Sequence, residues 1–208
     1  MRDNPAKKID LRRQLKHLYS PSASEAQTVD VPRFKFIMID GRGDPNGAKF
    51  SEAISALYSL SYALKFTVRK EKAIDYPVMA LEGLWWTDSG VFDMAERNAW
   101  NWTAMIMQPE FVTPALFRRA MQEVRKKKDS KALGIARLEA FREGLSAQIM
   151  HIGPYSTEGP TIKRLHDYIK EGGGQPKGKH HEIYLGDPRR AAPSRLRTIL
   201  RQPFQKSV

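Results

Sequence analysis

The chain has 208 residues, no cysteine and a formal net charge of +12. That length buries a substantial core without covalent or metal staples, and the missing cysteines exclude disulfides, thiolate metal sites and a cysteine nucleophile. No apolar run approaches the ~20 residues of a bilayer span, and the polar start at Met1–Lys8 has no signal-like apolar stretch, so a soluble cytoplasmic protein without membrane contacts is expected.

In chain order, residues 1–30 read as a polar N-terminal arm, with a short helix over Leu11–Tyr19 and a Ser/Ala/Pro loop from Pro21 to Ala26. Phe34–Asp40 is rich in aromatic and branched residues and reads as a strand, closed by the turn-forming stretch Gly41–Gly47. From Lys49 to about Lys65 the apolar residues Phe50, Ala53, Ile54, Leu57, Leu60, Tyr62 and Leu64 recur every three or four positions, the period of a buried helix face. Strands are expected over Pro77–Trp86 and Trp100–Gln108, separated by a polar loop containing Asp88-Ser89-Gly90. Thr113-Pro114 opens a helix to Lys128, with threonine as N-cap and proline where its missing N–H is harmless. Leu133–Arg142 fits a helix ending near Gly144 or an irregular strand, and the helix is the reading adopted.

The second half repeats this order. Ser146–Ile152 reads as a strand, Gly153–Pro160 as a turn, Thr161–Glu171 as a helix with Ile162, Leu165, Tyr168 and Ile169 as its stripe, and His181–Leu185 as a strand. The word Ile37-Met38-Ile39-Asp40-Gly41 parallels Ile149-Met150-His151-Ile152-Gly153. The fold expected is therefore α+β, a duplicated βαββ module with repeat one at about 33–110 and repeat two at about 146–204. Each unit is unable to cover both faces of its small sheet, so their antiparallel sheets should pair around a central ligand groove with helices on the outer faces.

Along a strand, side chains two apart share a face. Glu182 and Tyr184 thus point together, and Ile183 and Leu185 point the other way. A carboxylate within a strand needs solvent or a partner, so Glu182 is either a working residue of an open cleft or an exposed or arginine-paired one. Glu82 and Trp86 share a face, with Trp85 turned away, and Trp100 and Trp102 form a pair on the next strand. Core packing is the ordinary role of tryptophan, but four on two adjacent strands suit walls for a flat or cationic ligand. Tyr155 follows Gly153-Pro154, where a turn can aim its phenol across a cleft or leave it capping a core edge. His151 reads as a satisfied core histidine, and His180-His181 lack two further ligands at metal spacing. Gly41–Gly47 lacks a phosphate-loop ending, no Gly-x-Ser-x-Gly occurs, and no metal or cofactor is indicated. Basic residues cluster at Arg2–Arg13, Arg118–Lys128 and Arg189–Arg201, spread out rather than gathered on one recognition helix, so no specific nucleic-acid reader is evident.

Ile149–Tyr155, Glu182–Pro188 and Leu196–Pro203 together resemble the GyrI-like small-molecule-binding family, over about residues 33–204. The resemblance implies a domain over 31–208 with a drug- or metabolite-sized pocket between the repeats, and a pocket-facing glutamate at Glu182. The pair Trp85-Trp86 resembles the stand-alone branch, which includes hydrolases that open spirocyclopropyl genotoxins. On that basis Glu182 and Tyr155 are the expected catalytic pair, with Glu82, Trp85, Trp86, Trp100, Trp102 and Tyr184 around the ligand. The alternative is a drug or metabolite sensor without turnover, acting through a protein partner such as a regulator or gyrase. An attached DNA-binding module is not expected, because the first 30 residues are too short for one.

Overall fold

The computed structural model describes residues 6–90 and 96–206. Arg2, counted with the N-terminal basic cluster, and the last two residues of the expected domain lie outside them. In chain order the elements are β1 (Lys7–Lys8), α1 (Leu11–Gln14), α2 (Lys16–Tyr19), β2 (Gln27–Arg42), α3 (Ala48–Lys72), β3 (Ile74–Asp75), β4 (Leu81–Trp86), β5 (Asn101–Gln108), α4 (Pro114–Arg125), α5 (Lys131–Ile135), β6 (Arg137–Ile152), α6 (Gly159–Glu171), β7 (Gly174–Pro176), β8 (His180–Tyr184) and β9 (Arg197–Lys206).

The strands run in the order β6-β2-β5-β4-β8-β9, and β6 also pairs with β9, so these six close into a barrel while β7 extends the end of β9. The two βαββ units are β2-α3-β4-β5 and β6-α6-β8-β9. They join along two antiparallel seams, β2 with β6 and β4 with β8. Closure satisfies the ladder groups that an open sheet leaves at its edges. Helix α3 packs on β2 and β5, helix α6 packs on β6 and β9, and α4 packs on α3. The expected stripe of α3 is buried at Phe50, Ala53, Leu57, Leu60 and Leu64 and continues through Val68, which carries the helix past the expected end at Lys65. The start of α4 follows its sequence signal, with Thr113 Oγ1 accepting from the Leu116 N–H and Pro114 in the first turn. Among the described residues no helix is long and apolar enough to cross a membrane.

Two expectations are corrected. The stretch Leu133–Arg142 is not a helix: α5 stops at Ile135 and β6 begins at Arg137. The long β2–β6 ladder overrides the local spacing by setting Leu138 opposite Ile37 and Phe141 opposite Phe34. Gly144, the expected helix stop, lies in this ladder opposite Val31 at φ +76°. The second correction concerns the polar arm. Its Leu18 and Tyr19 are buried, and β2 already begins at Gln27.

Those two residues close one end of the barrel over a charged interior. The Tyr19 hydroxyl donates to Glu82 Oε1 at 2.6 Å, and His181 bridges Glu82 Oε2 and Glu143 Oε1, each at 3.0 Å. Arg201 donates to Glu143 Oε2 at 3.1 Å, to Gln148 Oε1, and to the Leu18 carbonyl at 2.8 Å. Gln148 in turn donates to the His17 carbonyl at 2.7 Å. With His181 protonated, two cations face two carboxylates, the balance a buried charge cluster requires. Burial works to lower the His181 pKa, but Glu143 and Glu82 outweigh it and raise it to about 9. Burial works to raise Glu143, but His181 and Arg201 hold it down at about 2. A cavity of about 10 Å³ lies among these groups, lined by Tyr19, Phe36, Glu82 and Met107 among others.

The sign of the pH dependence follows. Between the ordinary histidine value of 6.5 and about 9 the folded chain holds a proton on His181 that the unfolded chain has released. Stability therefore falls as pH rises through that range. Denaturant unfolding should give a lower unfolding free energy at pH 9 than at pH 6.5, and His181→Gln should shrink that difference; a difference of the same size in His181→Gln would show that the bridge is uncharged.

Candidate functional site

The side chains expected around the ligand groove meet on the outer face of the β4–β8 seam, where Gly83 pairs with Glu182 and Leu81 with Tyr184. Trp85 stands on this face opposite Trp102 of β5. Phe50, from the first turn of α3, packs at 5.3 Å from Trp85 and 5.0 Å edge-on to Trp102. Trp100 adds an edge contact to Trp85 at 6.2 Å. Two glycines let the indoles lie against the sheet. A methyl on Gly83 would come within 2.7 Å of Trp85 Nε1, and one on Gly41, paired with Trp102, would overlap the Trp102 ring.

A chain of donors crosses the seam from this aromatic wall. Trp85 Nε1–H donates to the Tyr184 hydroxyl at 3.1 Å, and that hydroxyl donates to Glu182 Oε2 at 2.6 Å. His180 Nε2 stands 3.6 Å from Glu182 Oε1. Burial raises the Tyr184 phenol well above its ordinary value and the Glu182 charge adds to this, so Tyr184 stays protonated and acts as a donor. Tyr155 meets the Tyr184 ring edge-on at 5.5 Å and keeps 40% of its surface exposed, at the rim. Burial first, then the carboxyls of Glu158 and Glu182, push the Tyr155 phenol up to about 12. Tyr58 of α3 is half-buried and feels the charges of Asp187 and Arg189, which places the Asp187 loop beside this site.

Glu158, just ahead of α6, is a second carboxyl in the cluster and is only 5% exposed. Burial first, then repulsion from Glu182, raise it to about 8. Its side chain makes no capping bond to the helix, and its Oε1 is buried without a hydrogen-bond partner.

The structure thus brings Glu182, Tyr184, Tyr155, Trp85 and Trp100 together. Trp102 belongs to the same face but is 2% exposed and supports Trp85 and Phe50 from behind. Glu82 and Trp86 do share a face, but it is the other one. Glu82 points into the barrel toward Tyr19 and His181, and Trp86 carries the Lys179 ammonium 3.4 Å over its ring. Neither reaches the groove, because strand alternation puts Trp85 on the groove side and sends both of its neighbours in sequence away. His151 is a satisfied core residue, with Nδ1 at 3.0 Å from Thr161 Oγ1. Sequence reasoning missed Glu158, which sits in a Gly/Pro turn and looks like an ordinary acidic residue ahead of a helix. Phe50, read as part of the core stripe, is buried there and also packs on the two indoles.

The family model of the GyrI-like small molecule binding domain matches residues 24–203. Among solved structures, an uncharacterized conserved protein from Listeria innocua is 38% identical, with a TM-score of 0.89, covering 95% of this chain and 100% of that one. Two hydrolases from Listeria innocua are 37% and 35% identical, with TM-scores of 0.86 and 0.83; they cover 96% and 95% of this chain and 100% of their own. The comparison with curated proteins gave no match. With its two βαββ units joined along two seams and the family model spanning both, the chain belongs to the GyrI-like small molecule binding domain family.

Proposed function

We propose that the groove on the β4–β8 seam takes up a flat, hydrophobic or cationic small molecule and hydrolyses spirocyclopropyl electrophiles, detoxifying them. The observation that carries this reading is the Trp85–Tyr184–Glu182 chain, which fixes a carboxylate beside an aromatic wall. The two Listeria innocua hydrolases, similar over their whole length, support hydrolysis as the reaction class.

In this reading Trp85 and Trp100 hold the aromatic body of the substrate. Glu182 takes a proton from a water as its oxygen attacks a cyclopropane carbon. The ring C–C bond breaks, and its electron pair passes through the conjugated dienone to the carbonyl oxygen. Tyr155 donates a hydrogen bond to that oxygen as charge gathers on it. The product is a phenol bearing a new hydroxyalkyl arm, with one water added overall.

Glu182→Gln should lower hydrolysis of a spirocyclopropyl substrate by about 10²–10⁴-fold, read by mass spectrometry of the hydrated product. Binding of planar ligands, followed by quenching of tryptophan fluorescence, should change little in that variant. Undiminished turnover would remove Glu182 as the base, and binding without water addition in the unsubstituted protein would leave a sensor or sequestering protein. Trp85→Phe should weaken planar-ligand binding about 2–10-fold, corresponding to roughly 0.5–1.5 kcal/mol; unchanged affinity would mean that the ligand does not lie on this wall.

A further inference from the structure

We propose that Glu158 and Glu182 form a one-proton carboxyl pair in which Glu158 holds the proton, so that the groove contains an acid and a base at the same time. The inference extends the hydrolytic reading by supplying the proton that Tyr155 cannot release.

The two carboxyls have unequal surroundings. Glu182 accepts the Tyr184 hydroxyl at 2.6 Å and has His180 Nε2 at 3.6 Å, so each of its oxygens has a polar neighbour. Glu158 is more deeply buried, and one of its oxygens has no hydrogen-bond partner. An ionised carboxylate left in that position would have little water and only the Thr198 hydroxyl to meet it, whereas a protonated one carries no charge to solvate. Neighbouring carboxyls that share a site do not both ionise near neutrality, and the less solvated member keeps the proton. The Glu158 value of about 8 agrees with this.

The groups around Glu158 do not reverse the assignment. Glu182 and Tyr184 face it from β8 and Tyr155 from the turn ahead of α6; His180 stands by Glu182, and Asp187 and Tyr58 act on Tyr155. Thr198, across from Tyr184 on β9, moderates the upward shift without cancelling it. Among the described residues, no cation is a leading influence on Glu158.

The chemical consequence concerns the last proton of the reaction. Opening the cyclopropane places an electron pair on the former carbonyl oxygen. The Tyr155 phenol, at about 12, donates a hydrogen bond to it but is a poor proton source near neutral pH. Glu158 transfers its proton to that oxygen and becomes a carboxylate as Glu182 receives the proton of the attacking water. Both carboxyls have then exchanged roles, and one proton passing from Glu182 to Glu158 restores the starting state with no external acid.

The test combines a spectrum of the resting protein with a rate profile. Infrared difference spectra of the ligand-free protein should show a protonated-carboxyl C=O band at pH 7 that disappears above about pH 9. That band should be missing in Glu158→Gln. Hydrolysis of a spirocyclopropyl probe by the unsubstituted protein should fall as pH rises through about 8, and Glu158→Gln should lower the rate about 10²–10⁴-fold and lose that alkaline limb. Absence of the band at pH 7, or its persistence in Glu158→Gln, would overturn the pair. An unchanged rate and alkaline limb in Glu158→Gln would overturn its role as acid. A band without turnover in the unsubstituted protein would support the pair and reject hydrolysis, so the two readings fail separately.

Discussion

Closure of the six-stranded barrel is the constraint on which the rest depends. In an open sheet a strand can slip or fray at an edge, but in a closed ladder each residue is committed to the inside or the outside. The register at the β4–β8 seam sets Gly83 against Glu182 and Glu82 against Ile183. Two glutamates on neighbouring strands therefore end on opposite sides of one wall. Glu82 becomes part of a balanced charge cluster, and Glu182 stands on the face that carries the aromatic wall.

The chain places glutamates in three kinds of buried setting, and partners rather than depth decide what each becomes. Glu143 lies between His181 and Arg201 and is held as an anion far below the ordinary range. Glu158 is buried beside another carboxyl and is pushed in the opposite direction. Glu182, on the outer face of the seam, accepts the hydroxyl of a phenol. Desolvation acts on all buried carboxyls alike, and the sign of the neighbouring charge determines the outcome.

Much of the architecture was legible because it is written in local periodicity. The α3 stripe at Phe50, Leu57 and Leu64, the Thr113-Pro114 start and the repeated strand words at Ile37 and Ile149 each state their structure over a few residues. Glu182 and Tyr184 were also readable, since two-residue spacing puts them on one face whatever lies beyond. What was not legible depended on distant partners. Leu138 and Phe141 take strand form because Ile37 and Phe34 lie opposite them about a hundred residues earlier in the chain. The sidedness of Glu82 and Trp86 requires knowing which face α3 covers, and the burial of Glu158 requires knowing where α6 docks. The residues that became a barrel plug, Leu18 and Tyr19, look polar in company and reveal their role only through contacts with Arg201 and Glu82.

The two indoles lie flat because nothing projects from Gly41 and Gly83 beneath them. The shape of the aromatic wall is thus set partly by vacant positions in the sheet rather than by its side chains alone. A single added methyl at either position would tilt a whole ring, and at Gly83 it would also disturb the indole N–H that supports Tyr184. This aromatic wall therefore has two hidden dials in the backbone, each able to reshape it while every polar group along the seam keeps its identity.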